Sequence, residues 1–416
     1  MGDTLMFSTY AQILKYPGAA LFSITGLFAR LQMSMASLGA TLLIVHERDS
    51  YALAAMITAV YAVSAAFIGP QASRLTDRLG QARIVPVQLM VHVPAMLALI
   101  WVATLDGRTP LLFVLAFFAG AAQPSIGSLI RARWSRIYTG TPSLRTAFAM
   151  ESLVDEIVFI TGPPLATFLA QQVAPASALL VATTFLTVGS TLLIVQRKTQ
   201  PIPSGRGVPA PKGAAILIPG VGAIAAIFVF MGAVFGAFEI VTVGYAAEQG
   251  VPTATGVLLA LYSLGSLVAG FLFGARHFKA SLPRQFLLSV TALAVVSAPF
   301  SVMPNVYWMG VAALLAGVAV APVLISGLSL VEHAVPGNRL TESMTWVSGG
   351  LSVGLAAGML LSGFLLDAFS ASTAYLVVTG AALAAFVTAG LVRKQISRVY
   401  YASAARAAAE KSFTPA

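Results

Sequence analysis

Apolar positions along the chain fall into long unbroken runs separated by short polar or Gly/Pro-containing breaks. The stretch "MITAVYAVSAAFIGP" (residues 56–70) is representative: its apolar residues do not alternate. Barrel strands would be about ten residues long with a two-residue period, so they are excluded. A helix crossing a bilayer needs about 20 mostly apolar residues. On that length the pattern predicts twelve spans, at about 17–45, 51–72, 84–104, 110–130, 147–171, 174–195, 215–243, 253–274, 284–303, 306–331, 342–366 and 371–393. The expected fold class is an all-α membrane protein. Pro is frequent inside the runs, which membrane helices tolerate when neighbours satisfy the freed backbone groups.

Composition supports this reading. Of 416 residues, 58% are hydrophobic and 9% charged, with a mean hydropathy of +0.88. A soluble domain could not cover so much apolar surface with so few charges. The net charge of +10 would suggest nucleic acid in a soluble protein, but here it is a topology signal. Of the 24 Lys and Arg, Arg48 and Arg108 lie in loops of one parity and Arg30 lies within the first span; the rest flank the N-terminus, the even-to-odd loops and the C-terminus. That distribution predicts both termini in the cytoplasm and a multi-pass protein of the cell (inner) membrane. The start "MGDTLMFSTYAQILK" matches neither a cleavable signal nor a myristoylation site. With no Cys, thiolate metal sites, disulfides and cysteine nucleophiles are excluded. No metal or cofactor is expected.

The longest polar connection, "QRKTQPIPSGRGVPAPKG" (196–213), reads as a flexible cytoplasmic linker. It divides the spans six and six: a bundle over 1–195, the linker 196–213, a second bundle over 214–393 and a cytoplasmic tail 394–416, frayed or interfacial. The halves share faint similarity. "AVYAVSAAFIG" (59–69) lines up with "ALYSLGSLVAG" (260–270) at an offset that also pairs Glu47 with Glu248, and "AGAAQP" (119–124) resembles "AGVAVAP" (316–322). Paired halves rocking about a midplane site are a recurring transporter plan.

"SRLTDRLGQAR" (73–83), between the second and third spans, resembles the signature loop of the major facilitator superfamily, Gly-x-Leu-x-Asp-Arg-x-Gly-x-x-Arg. Leu75, Asp77, Arg78, Gly80 and Arg83 match, and Ser73 stands where the family usually has Gly. The resemblance implies two pseudo-symmetric six-helix bundles working by alternating access, with Asp77, Arg78, Gly80 and Arg83 at a cytoplasmic gate. An Asp at a helix end beside Arg and a tight Gly turn can lock elements together through charge-assisted hydrogen bonds; the alternative is a turn with topology-setting cations. "GPP" (162–164) resembles the Gly-Pro motif in the fifth helix of the superfamily's antiporters, although Leu165-Ala166-Thr167 replaces the usual following Gly pair. Pro163 and Pro164 remove two amide donors, so Gly162, Pro163 and Pro164 are expected to bend the helix.

The candidate chemistry is a set of charges inside the apolar runs. In "AMESLVDEIVFITGPPL" (149–165), Glu151, Asp155 and Glu156 open the fifth span. A rise of about 1.5 Å per residue puts Asp155 and Glu156 near the hydrocarbon midplane. Charges there cost several kcal/mol and mark functional candidates. Glu151 and Asp155, four residues apart, share a face; Glu156 points about 100° away from Asp155. Three carboxylates so close cannot all ionise cheaply, so one is expected to hold a proton part of the time, as proton coupling requires. Glu151 is expected to form a static pair with Arg131 or Arg133, with coupling as the alternative; for Asp155 and Glu156 these cations are expected not to reach so deep. Arg30 needs a carboxylate or an anionic substrate group, and Ser34, Ser37 and Thr41 continue its stripe. Glu239 follows "GAVFGAF", whose Gly232 and Gly236 permit close helix approach. Gln32, Gln88 and Gln123 are amide candidates for a pocket or for bonds to neighbouring helices. His92 reads as a packing residue rather than a relay. Gly350, Gly354 and Gly358 form a close-packing face, sliding or static.

These residues suggest a secondary transporter exporting a small amphiphilic, drug-like compound in exchange for protons. Proton coupling is expected at Asp155, Glu156, Glu151 or Glu239, and the substrate cavity at Arg30, Gln32, Ser34, Gln123, Asp155 and Glu239. The alternative is a proton-coupled importer of a small, anionic metabolite. The expected partners are substrate, protons and lipid, without nucleic acid, for a monomer. No metalloprotease, Ser-nucleophile or phosphate-loop motif is present, so an enzyme or a primary pump is not expected.

Overall fold

In the computed structural model, which describes residues 12–105, 108–138, 141, 143–203, 215–218, 220–275, 280–335 and 340–412, every long element is a helix, and the described residues contain no strand. Two units divide the chain, residues 1–208 and 209–416. The first holds α1 (Ala19–Arg48), α2 (Tyr51–Leu79), α3 (Gln81–Ala103), α4 (Thr109–Ala121), α5 (Ile126–Tyr138), α6 (Ser143–Gln172) and α7 (Ser177–Val195). The second holds α8 (Val221–Glu248), α9 (Ala254–Ala275), α10 (Leu282–Ser297), α11 (Val306–Ala334), α12 (Leu340–Ala368) and α13 (Ala371–Ser412). Taking α4 and α5 as one crossing, the described residues contain twelve helices long and apolar enough to span a membrane. The protein is a multi-pass membrane protein.

Several helices outrun their sequence-based bounds. The second continues to Leu79, so residues 73–79 of the signature stretch are the last turns of α2 rather than a loop. The chain reverses at Gly80, whose φ of 95° is open to Gly and strained for other residues. The fourth crossing reaches Tyr138 but is interrupted at Ala122–Ser125: Pro124 has no amide donor and disfavours helical geometry at Gln123. The last helix extends through the expected tail to Ser412. α6, by contrast, runs unbroken through Pro163 and Pro164. The start of the linker is not loose. Buried Arg133 on α5 donates to the Gln196 carbonyl at 3.0 Å, to Thr199 Oγ1 at 2.7 Å, to the Leu193 carbonyl at 2.9 Å and to Gln81 Oε1 at 2.9 Å.

In lipid, little hydrophobic force drives helices together, so close packing at small residues does. In the first unit α2 crosses α4 where Gly120 meets the Tyr61 carbonyl, so closely that a Cβ would collide with it. In the second unit α9 crosses α11 where Gly317 meets the Tyr262 carbonyl in the same way. Tyr61 and Tyr262, and Gly120 and Gly317, are the residues matched between the two halves of the sequence. The internal repeat is thus a repeated crossing. α12 packs Gly354 and Gly358 on the backbone of Val229 and Ala233, while Gly232 and Gly236 of α8 receive Leu351 and Leu355. The glycine stripes of α8 and α12 are two sides of one contact.

Candidate functional site

Arg30 is 2% exposed on α1, three turns from its start, and faces α6. Its Nη2 pairs with Glu151 Oε2, its Nη1 reaches Asp155 Oδ1 at 2.8 Å, and its Nε donates to the Gly26 carbonyl at 3.3 Å. Glu151 is fully buried. Its other oxygen accepts from Trp134 Nε1 at 2.7 Å and from Ser23 Oγ at 3.0 Å. Asp155 is one-quarter exposed, and its second oxygen accepts from Arg131 Nη2 at 2.8 Å. Three helices build this cluster: α1 supplies Ser23 and Arg30, α5 Arg131 and Trp134, α6 Glu151 and Asp155. The four-residue spacing on α6 turns both carboxylates to one side, as the sequence implies.

Two expectations are corrected here. Glu151 pairs with Arg30, not with Arg131 or Arg133; Arg133 is occupied at the end of α7. Cations do reach Asp155, and two of them bracket it. Depth explains the second point. Because α5 ends at Tyr138 and not near Arg131, Arg131 sits about 10 Å deeper than its sequence position suggested. Trp134, missed in the sequence, completes the shell of Glu151. The local signal was available: Trp134 follows Arg131 by three residues on an amphipathic segment.

Charges in the cluster balance, two guanidinium groups against two carboxylates. Breaking one partner of such a buried set strands a charge at high cost. Glu156 stands outside it. It is half-buried, and no hydrogen bond or ion pair reaches it among the described residues.

Other residues expected in a substrate cavity bond between helices. Gln32 Nε2 donates to Tyr61 Oη at 2.7 Å, Gln123 Nε2 to Gln32 Oε1 at 2.7 Å, and Gln88 Nε2 to the Gln123 carbonyl at 3.4 Å. These amides link α1, α2, α3 and the break after α4. His92 is buried against this layer, with Nδ1 2.7 Å from the Ala119 carbonyl, a packing role. Ser34 Oγ donates to the Val158 carbonyl at 2.9 Å, directly beside Gly162, where a Cβ would collide with that hydroxyl. Gly162 is therefore a crossing residue of α1 and α6. Glu239 lies half-buried on α8 of the second unit, next to Phe238, whose ring stacks on Tyr262 at 4.5 Å. Asp77, Arg78 and Arg83 are exposed at the facing ends of α2 and α3. Among the described residues, no group of three or more His, Cys, Asp or Glu is placed to hold a metal.

The family model described as Major Facilitator Superfamily matches residues 22–304 and 223–415. No curated protein matches the chain in sequence. Among solved structures, the peptide transporter POT in complex with sulfate is similar at a TM-score of 0.71 and 14% identity, covering 92% of this chain and 95% of its own. The nucleoside transporter NupG is similar at 0.66 and 13%, covering 90% and 98%. The human organic anion transporter MFSD10 (TETRAN) is similar at 0.60 and 16%, covering 89% and 98%. At these identities the likeness is one of fold.

Proposed function

The chain belongs to the Major Facilitator Superfamily and is a membrane transporter rather than an enzyme, and from that premise we propose that it exports a small amphiphilic cation in exchange for a proton carried by Glu156. One observation carries this reading. Both arginines of the buried cluster are already neutralised by Glu151 and Asp155, whereas Glu156, the next residue, has no cationic partner among the described residues. A half-buried carboxylate without a counter-charge favours one bound positive species, and a proton and an organic cation compete for it. Exchange follows from competition. The carboxylate releases the cation when it takes the proton, and releases the proton on the side where the next cation binds. One proton for one monovalent cation makes the cycle electroneutral.

The other reading, import of an anionic metabolite held by Arg30, has less support. The donors of Arg30 are taken by Glu151, Asp155 and the Gly26 carbonyl. An anion would have to displace a buried carboxylate that has no other cation. In this proposal the cluster of Arg30, Glu151, Asp155 and Arg131 holds α1, α5 and α6 in register, and Asp77, Arg78, Gly80 and Arg83 serve as a gate. The test is flux in reconstituted vesicles. A fluorescent lipophilic cation should accumulate when a pH gradient is imposed and should ignore a potassium diffusion potential. Glu156→Gln should abolish the pH-driven component while its melting curve matches the parent protein. Undiminished pH-driven transport in that variant would remove Glu156 from the mechanism.

A further inference from the structure

In the second unit, the start of α10 and the distal part of α13 enclose a cleft of about 390 Å³. Arg284 of α10 and Arg393, Lys394 and Arg398 of α13 line it, and no acidic residue among the described ones does. All four cations are exposed, and none is engaged by a carboxylate or a carbonyl among the described residues. Phe286 and Ile396, both buried, form an apolar floor; the hydroxyls of Ser281 and Ser397 stand at the wall. The volume lies in the range of small-ligand sites.

Both helices change character along one face. On α13, Val387, Leu391, Lys394 and Arg398 follow at spacings of four, three and four, and so share a side. Leu391 is 79% exposed and Val387 55%. On α10, Arg284 and Leu288 share a side at a spacing of four, with Val295 two turns further on; Leu288 is 57% exposed and Val295 67%. Each helix thus presents bare aliphatic side chains along one stretch and cations beyond them, at the start of α10 and in the distal part of α13. That sequence of surfaces matches an acyl chain followed by an anionic headgroup. Positive loop charge for topology requires cations near the membrane; it requires neither their convergence on one cleft nor a buried apolar floor beneath them.

We propose that this cleft binds the headgroup of an anionic phospholipid from the leaflet on the linker side. The phosphate sits among Arg284, Arg393, Lys394 and Arg398, and the acyl chains lie along Leu288, Val295, Val387 and Leu391. Guanidinium and ammonium groups beside an anionic lipid surface are each worth about fivefold in binding.

The experiment is native mass spectrometry of the full chain in detergent, titrated with phosphatidylglycerol, phosphatidylcholine or inorganic phosphate. The wild type should retain phosphatidylglycerol at least about tenfold better than phosphatidylcholine. The combined change Arg284→Gln, Arg393→Gln, Lys394→Gln and Arg398→Gln should bring the two lipids to equal retention. Replacing the three arginines by lysine should preserve the preference. Should the fourfold variant not fold, Lys394→Glu alone carries the test and should lower the preference about fivefold or more. Selectivity unchanged by neutralisation overturns the proposal. So does millimolar inorganic phosphate that displaces the lipid and abolishes the preference, since the cleft would then be a site for free anions.

Discussion

At the scale of single residues, the chain separates carboxylates that hold structure from one that stands apart. Glu151 and Asp155 are each tied to Arg30, and Arg131 adds to Asp155. Arg30→Gln should therefore leave buried Glu151 without a cation, and Asp155 with Arg131 alone, and destabilise by about 3–5 kcal/mol. Asp155→Asn should strand Arg131 and part of Arg30 and also lower the melting temperature. Glu156→Gln should not. Thermal unfolding of the three variants in detergent checks this ordering, and equal melting for all of them would show that the buried pairs contribute no net stability. The shared face of Glu151 and Asp155 was legible from their spacing alone. Their partners were not. Arg30 sits on a helix more than 100 positions away, and Arg131 came within reach only because its segment extends past the expected boundary. The partners of Gln32, Ser34 and Gln123 were illegible for a related reason: composition marks a polar residue in an apolar run, but not whether it faces a cavity or a neighbouring helix.

At the scale of helices, run length and apolar content made the twelve crossings readable, because the bilayer imposes both. The ends were less readable. Arg, Gln and Thr at the ends of α2 and α5 lower the local hydropathy without ending the helix, whereas a positive φ at Gly80 does. Crossing points were half-legible: glycine spacing identified the α8 and α12 faces, and only the structure pairs them. Gly354→Ala would push a methyl into the Val229 backbone, which cannot move aside as a side-chain tip can. The expected cost is about 1–3 kcal/mol or more. Gly349→Ala, where nothing lies within 4 Å of the new atom, should melt like the parent protein. At the end of α2, Asp77→Asn should keep the fold, since Asp77 is exposed, and slow transport by removing the charge of the proposed gate. Flux equal to wild type would reduce the signature stretch to a turn with topology-setting cations.

At the scale of the whole molecule, the charge pattern and the repeat make a joint demand on orientation. Each unit carries the same crossing, Tyr61 over Gly120 and Tyr262 over Gly317, and the six predicted crossings between the starts of α1 and α8 would bring both starts to one side of the membrane. The linker and the end of α13 then share a side. That side carries nearly all Lys and Arg, including Arg284, Arg393, Lys394 and Arg398 around the α10–α13 cleft. Arg48 is among the few cations at the opposite ends, and it is spent locally: its Nε donates to the Ala103 carbonyl at 3.0 Å and its Nη2 to those of Val102 and Leu105, capping the end of α3. The positive-inside rule predicts that the linker side, with its many cations, faces the cytoplasm. A reporter active only in the cytoplasm, fused after Ala416 or inserted at Gly205, should therefore be active at both positions, and one inserted beside Pro252, in the turn between α8 and α9, should be silent. Activity at Pro252 with silence at the other two would invert the molecule, moving the proposed lipid cleft and gate to the outer face. A split result between Gly205 and Ala416 would contradict an even number of crossings in the second unit.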